Sequence, residues 1–361
     1  MVGDPFMGSG TTAVETRLAG REGWGRDLNP LAVRVARAKT ADLDLHHLES
    51  LLSTLESGLA ASKEDEIELP FCTNMEHWFR PEVAKDLALV KSLINGYEAE
   101  PERNFFLVCL SAIIREVSNA DPRHVFPGYS KRMRELDRLG RMVDVRRTFV
   151  KGCQRRIGHY AKFRQAWPAA MSLDLRVGDS CTDELPPCDL MVTNPPYLGS
   201  IRYLETMKLE MYWLSLLADS EEYRLLDRQL LASERWYKQE YAQPISTGVS
   251  GLDAIIERLY HEGHEKMGYV TGRYFLMISA FLRSASGSLR TGGHLVVKMS
   301  DSFVRIVTVP AHEYWIQLAA EHGLDVVACR TDDYHSRSLL TKRNSFSRML
   351  PHDYLLVFRR D

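Results

Sequence analysis

The sequence predicts an α/β fold built on a mostly parallel β-sheet, because segments typical of strands and helices alternate along the chain. Three stretches carry this prediction, and each indicates a strand that ends in residues suited to a ligand. They lie at residues 1–12, 23–30 and 188–197. Open α/β sheets bind their ligands beyond the carboxyl ends of the strands, so we expect these three strand ends to meet in one site.

The composition is that of a soluble globular protein. The 361 residues carry a formal net charge of −2 and are 45% hydrophobic. No apolar run approaches the length of a membrane span and the N-terminus has no signal pattern, so we expect no membrane association. The six cysteines show no Cys-x-x-Cys pair and no His partner at metal spacing. We therefore expect reduced thiols, a cytoplasmic location and no bound metal.

Residues 1–12 (Met-Val-Gly-Asp-Pro-Phe-Met-Gly-Ser-Gly-Thr-Thr) indicate a short strand, a glycine turn and the start of a helix. Gly8 and Gly10 would let the backbone approach a ligand closely, and the hydroxyl side chains around them can satisfy free amides of the first helical turn. Asp4 is well placed to hold a cationic group. The turn lacks the Gly-Lys-Ser/Thr of a phosphate loop, and Ala13 makes the dinucleotide fingerprint imperfect.

Residues 23–30 (Gly-Trp-Gly-Arg-Asp-Leu-Asn-Pro) indicate a second strand, followed by a helix over about residues 31–39. This strand ends at Asp27. An acid at the end of the strand that follows a glycine turn is the usual partner of ribose hydroxyl groups. The alternative, that Asp27 only caps the next helix, is weakened by the glycine turn before it.

Residues 188–197 indicate an apolar strand that leads into Asn194-Pro195-Pro196-Tyr197. Two consecutive prolines fix φ and remove two backbone donors, so the strand must end there. The rigid loop that follows presents an amide side chain, a free carbonyl and an aromatic ring. This set suits a planar ring that bears an amino group, although the stretch alone fits a plain proline turn equally well.

Together, Asp-Pro-Phe-Met-Gly-Ser-Gly-Thr-Thr, Gly-x-Asp-x-Asn-Pro-Leu-Ala and Thr-Asn-Pro-Pro-Tyr resemble the S-adenosylmethionine-dependent DNA amino-methyltransferases. These are the adenine-N6 and cytosine-N4 enzymes of restriction-modification and related defence systems. The resemblance covers residues 1–40 and 173–217 and a C-terminal strand–helix–strand pattern. It implies a Rossmann-like class I methyltransferase fold with a mostly parallel sheet, an antiparallel C-terminal hairpin and helical insertions. The first motif, which begins Asp-Pro-Phe, is specific to this family. The Asn-Pro-Pro-Tyr motif is less specific, because methyltransferases that act on RNA bases and on protein glutamine also use it.

The resemblance implies a site for the cofactor S-adenosyl-L-methionine. Its expected contacts from the first two motifs are Asp4, Pro5, Phe6, Gly8, Ser9, Gly10, Thr11, Asp27 and Leu28. At the end of a further predicted strand, over residues 173–177, we expect Asp179 to receive the exocyclic amine of the cofactor adenine, with Ser180 beside it.

The same resemblance implies that Asn194, Pro195, Pro196 and Tyr197 are the catalytic residues. Asn194 Oδ1 and the Pro195 carbonyl oxygen would accept hydrogens from the target amino group, while Tyr197 stacks on an extruded base. Asparagine at position 194 favours adenine slightly over cytosine. Methylation at cytosine C5 needs a cysteine nucleophile, and Cys188 precedes the strand, so it should lie at the wrong end of the sheet.

Residues 131–164 are strongly basic, with twelve Lys or Arg and three acids in a chain that is nearly neutral overall. A solvated helix face would normally mix the signs, so this excess favours contact with a phosphate backbone. A second basic loop lies within residues 329–350. We predict contacts with double-stranded DNA at Arg132, Arg134, Arg138, Arg146, Arg147, Lys151, Arg155, Arg156, Lys342 and Arg343.

The motifs divide the chain into a catalytic domain (1–40 and 173–361), a helical insertion (41–172) with the basic segment, and a loop-rich insertion (218–266) near the active site. Only three residues precede Asp4, so the helix and loop that cover the methionine end of the cofactor in the family are missing. We expect a partner subunit or a homo-oligomer to supply them; the alternatives are a fragment or mis-started reading frame, and a chain that binds the cofactor weakly and acts mainly as a DNA-binding subunit. The alternative functions are an RNA guanine-N2 methyltransferase and a DNA-binding subunit of a split methyltransferase.

Overall fold

A computed structural model describes residues 1–62, 67–168, 171–199, 202–333 and 352–361. The strands are β1 (Val2–Asp4), β2 (Gly23–Asp27), β3 (Leu173–Val177), β4 (Cys188–Thr193), β5 (Leu289–Met299), β6 (Ser302–Val304), β7 (Val307–Val309), β8 (Leu324–Asp333) and β9 (His352–Arg360). Seven of them form one sheet in the order β3-β2-β1-β4-β5-β9-β8, and β6 and β7 form a separate hairpin.

The first five strands of this sheet, from β3 to β5, pair in parallel. Strand β9 then runs antiparallel to both β5 and β8. The predicted fold class, a mostly parallel Rossmann-like sheet with an antiparallel C-terminal hairpin, is therefore confirmed. The strand order also places β1 and β4 side by side, so the glycine turn and the Asn-Pro-Pro-Tyr loop leave the sheet at neighbouring points.

The helices that follow the first two strands are α1 (Thr11–Leu18) and α2 (Pro30–Thr40). A helical insertion then separates β2 from β3. Its helices are α3 (Leu45–Ala61), α4 (Met75–Trp78), α5 (Pro81–Asn95), α6 (Glu100–Val117), α7 (Lys131–Arg138) and α8 (Val145–Ala166). This insertion has a core of its own, in which Leu87, Ile94 and Phe106 are fully buried.

The basic helix α8 has one apolar face. Its buried residues recur every three or four positions, as expected for an amphipathic helix; they are Val145, Phe149, Gly152, Cys153, Ile157 and Tyr160. Most basic residues of α8 are consequently directed away from the core. Lys342 and Arg343 of the second basic loop lie outside the described residues.

After β4 come two short helices, α9 (Tyr203–Thr206) and α10 (Lys208–Trp213). Segment 218–266, expected to be loop-rich, contains α11 (Ser220–Gln229) and α12 (Ser250–His261). The long helix α13 (Glu265–Ser288) and α14 (Ala311–Glu321) pack on the sheet. In the described part of the chain, no helix has the length and apolar character needed to cross a membrane.

Candidate active site

A cavity of about 700 Å³ opens at the carboxyl ends of β1, β2, β3 and β4. That volume lies in the usual range of small-molecule sites. Most of the predicted site residues line it, namely Asp4, Pro5, Phe6, Gly8, Ser9, Thr11, Asp27, Leu28, Asp179, Ser180, Asn194 and Pro196. The sheet thus brings together the three strand ends that the sequence singled out.

Gly10 closes the turn that supports the cavity. It caps α1 in the left-handed conformation (φ 81°), and a Cβ there would lie 2.6 Å from the Ala36 Cβ of α2. Gly8 also has positive φ (50°), but a Cβ there would meet no atom within 4 Å. Gly8 therefore exposes backbone to the cavity, whereas Gly10 permits close packing of the turn on α2.

Gly10→Ala is expected to destabilise the fold by about 2 kcal/mol or more, because it combines left-handed backbone strain with a collision against a helix backbone. Thermal unfolding monitored by circular dichroism measures the change. Gly158→Ala is the matched control, since Gly158 is exposed on α8 and its Cβ would be unobstructed. That substitution should stabilise the protein slightly. Equal unfolding temperatures for the two variants would contradict this reading of the turn.

Asp27 ties the first two strand ends together. Its Oδ2 accepts a hydrogen bond from the Gly8 amide and its Oδ1 accepts one from the Asn29 amide, both at 2.8 Å. Burial raises the pKa of Asp27, and the two amide hydrogen bonds oppose that rise. Each carboxylate oxygen has a further lone pair, so Asp27 can still accept a hydrogen bond from a ligand hydroxyl.

Asp4 joins the cofactor motif to the catalytic strand. The Thr193 hydroxyl donates to Asp4 Oδ1 at 2.7 Å, and Thr12 Oγ1 donates to the Val192 carbonyl at 3.3 Å. Burial raises the pKa of Asp4 to about 6. Asp4 thus fixes the residue immediately before Asn194, and its predicted role in holding a cationic group stays a prediction.

The third strand end is fastened to the first. Ser180 Oγ donates to the Pro5 carbonyl at 2.6 Å, which leaves Asp179 at the cavity wall. Asp179 Oδ1 accepts a hydrogen bond from the Cys181 amide at 2.9 Å, and this bond within the turn fixes the orientation of the Asp179 side chain. A carboxylate held in this way is suited to accept a hydrogen bond from the amino group of a ring that lies over the sheet edge.

Asn194 is exposed where β4 ends, and Pro196 beside it also lines the cavity. Pro195 is buried, and Tyr197 is half-buried against the core around the sheet. The side chain of Asn194 is therefore open to a ligand. The stacking role predicted for Tyr197 stays a prediction.

Helices α9 and α10 form a roof over the cavity that the sequence did not reveal as part of the site. Tyr203, Met207 and Glu210 line the cavity, with Arg202 at the start of α9. They recur at spacings of four and three residues directly after the Asn-Pro-Pro-Tyr tetrad, although the helix is interrupted at Met207. That spacing is the signal that could have identified them. Residues 229–234 line a further wall.

The DNA-contacting residues predicted within residues 131–164 do not line the cavity, and several have partners within the chain. Arg138 pairs with Glu135 at 2.7 Å and Arg146 with Asp86 at 2.8 Å, while Arg132 lies 3.7 Å from Asp121. Arg134 stacks over the Tyr129 ring and Arg156 donates to the Gly152 carbonyl. By contrast, Arg147, Lys151 and Arg155 are exposed at four-residue spacing, so they share one face of α8. Contact with DNA at these residues stays a prediction.

Comparison with known proteins gives one informative match in sequence. The chain is 29% identical over 241 residues to the type II methyltransferase M.MvaI of Kocuria varians, a match that covers 60% of this chain. It covers 51% of that relative, so the chain spans about half the relative's length. No family model matches the chain.

Two solved structures are similar at low levels. A SAM-dependent methyltransferase from Methanosarcina mazei aligns with 99% of this chain and 91% of its own, at 6% identity and a TM-score of 0.35. The rRNA methyltransferase aviRa from Streptomyces viridochromogenes aligns with 99% of this chain and 75% of its own, at 9% identity and a TM-score of 0.30. Because both TM-scores are low, the fold is assigned from the strand order and strand directions of this chain alone. The resemblance predicted from the three motifs is confirmed by the sequence match: this chain is similar in sequence to a type II methyltransferase, and it is built on a Rossmann-like sheet.

Proposed function

We propose that this protein is a DNA methyltransferase that transfers a methyl group from S-adenosylmethionine to the exocyclic amino group of adenine (N6) or cytosine (N4). One observation supports this most directly. The Asp4–Thr193 hydrogen bond holds the end of β1 against the end of β4, so the glycine turn and Asn194 face one cavity. The related type II methyltransferase supports transfer to DNA, in a restriction-modification or related defence system.

The residues present fit the proposed cofactor. Exposed backbone at Gly8 allows close approach, Asp27 can accept a ribose hydroxyl, and Asp179 can accept the adenine amine. The cavity is also large enough for a ligand of this size. When bound, S-adenosylmethionine supplies an electrophilic methyl group on its sulfonium.

The chain's own residues activate the target. An aromatic amino group is a poor nucleophile because its lone pair is delocalised into the ring. Asn194 Oδ1 and the Pro195 carbonyl oxygen would each accept a hydrogen bond from this amino group. These two hydrogen bonds favour the pyramidal form of the amino group, in which the lone pair is localised on nitrogen. As the nitrogen gains the methyl group it loses one proton to solvent, and no covalent intermediate with the protein is required. In a duplex the base must first be extruded, at a cost of a few kcal/mol. Asparagine at position 194 favours adenine slightly.

The test is incubation of the protein with methyl-labelled S-adenosylmethionine and mixed-sequence duplex DNA, followed by digestion to nucleosides and mass spectrometry. We expect N6-methyladenine or N4-methylcytosine. A parallel reaction with transfer and ribosomal RNA serves as the control for substrate class. Label in RNA as N2-methylguanine, with none in DNA, would overturn the proposal in favour of an RNA methyltransferase.

A further inference from the structure

The roof of the cavity contains a carboxyl group with an unmet hydrogen-bonding requirement. Glu210 lines the cavity from α10, and its Oε2 is buried with no hydrogen-bond partner among the described residues. Burial raises the pKa of Glu210 to about 7, although the positive charge of Arg115 on α6 opposes the rise. A buried carboxyl without a partner costs stability. Because Glu210 lines the cavity, a ligand that donates a hydrogen bond to its carboxyl group would offset this cost.

A short series of contacts connects the segment that carries Glu210 with Asp27. Met207, one helical turn before Glu210, accepts a hydrogen bond at its Sδ from Asn29 Nδ2 at 3.4 Å. The Asn29 backbone amide in turn donates to Asp27 Oδ1 at 2.8 Å. Leu31 of α2 lines the same part of the cavity. The roof carboxyl and the acid at the end of β2 are therefore linked by a short chain of contacts.

We propose that Glu210 is a second acid for the cofactor ribose, accepting a hydroxyl hydrogen from the roof while Asp27 accepts from the floor. This assignment rests on the proposed function. Ribose offers two adjacent hydroxyl donors, and two carboxylates on opposite walls supply one acceptor for each. A phosphate group is disfavoured between Asp27 and Glu210, because it would bring negative charge close to two acids.

The experiment measures binding by isothermal titration calorimetry, with S-adenosylhomocysteine and with 5′-methylthioadenosine, which retains the ribose but lacks the amino-acid end. Glu210→Ala should weaken the binding of both ligands about 10- to 100-fold, the loss expected for a hydrogen bond to a charged group. Glu210→Gln keeps one acceptor and should lose less. Glu205→Ala is the matched control, since Glu205 is on the same roof but pairs with Lys208 and Tyr223 outside the cavity.

Two further readouts separate a ligand contact from a structural role. Removing an unsatisfied buried carboxyl should leave the unfolding temperature of the ligand-free protein unchanged or raise it. Wild-type affinity should also rise between about pH 6 and 8, because the ionised carboxylate is the acceptor. Arg115 faces Glu210 from α6, and the other charged residues that line the cavity are Asp4, Asp27, Asp179, Asp227, Glu234, Arg202 and Lys298. All of them are present in both the wild-type protein and the Glu210→Gln variant, so the pH dependence that the substitution removes belongs to Glu210.

The outcomes are distinct. Weaker binding of both ligands in Glu210→Ala, with the Glu205→Ala control unaffected, supports the assignment. Unchanged affinity overturns it, and so does weaker binding of S-adenosylhomocysteine alone, which would place the carboxyl at the amino-acid end. If the wild-type protein binds neither ligand, the proposed function fails together with this assignment.

Discussion

Asn194→Ala is expected to lower kcat for methyl transfer by about 10²- to 10³-fold, the loss seen when one preorganised polar group is removed from a reacting centre. Asn194 is exposed at the cavity and supplies an acceptor that a backbone carbonyl alone cannot replace. The proposed cofactor contacts lie at other strand ends, so the Kd for S-adenosylhomocysteine should stay nearly unchanged. Single-turnover transfer of labelled methyl to DNA and calorimetric titration measure the two quantities.

The control for this substitution is Asn95→Ala, which removes an exposed asparagine at the end of α5, remote from the cavity. It should leave both quantities at wild-type values. If Asn194→Ala retained full activity, or lost cofactor affinity in parallel with activity, Asn194 would not be the residue that activates the amino group.

Asp27→Ala is expected to weaken cofactor binding by about 100-fold or more. The substitution removes the acceptor for a ribose hydroxyl and leaves the Gly8 and Asn29 amides without their partner. Hydrogen bonds to a charged group contribute about 1.5–3 kcal/mol each, and 1.4 kcal/mol is a factor of ten in affinity. Titration with S-adenosylhomocysteine measures the loss.

Asp325→Ala provides the comparison for Asp27→Ala, because Asp325 is exposed on the edge strand β8. It should bind the cofactor as the wild type does. Cofactor affinity within a few-fold of wild type in Asp27→Ala would remove Asp27 from the site. The pKa of Asp27 is raised by burial, so acidification should also weaken binding as the carboxylate is protonated.

The sequence predicted the floor of the site well because each part of it is local. A glycine turn, an acid at a strand end and a proline pair have conformational requirements that can be recognised within ten residues. To predict that these three parts lie together, one further rule was enough: the carboxyl ends of parallel strands lie at a common edge of the sheet. Asp4, Asp27 and Asn194 meet there because β1 lies between β2 and β4.

The roof could not be predicted in this way, because its position depends on packing between distant helices. Leu209, Met211 and Trp213 of α10 are buried in the core of the helical insertion, whose helices lie within residues 45–166. The apolar pattern after the tetrad indicates a buried helix but not which core buries it. Glu210 was missed for this reason, since an acid between buried residues has no local signature of a ligand contact.

The position of β1 has a consequence for how the protein folds. On one side, β1 pairs with β2, which lies only about 20 residues further along the chain. On its other side, β1 pairs with β4, far along the chain, and Val2 is opposite Leu190. Contacts of such long range form slowly because the intervening chain must lose its freedom first. The helical insertion is made of neighbouring helices and can form early. The ability to bind cofactor and substrate together is then among the last properties the chain acquires as it folds.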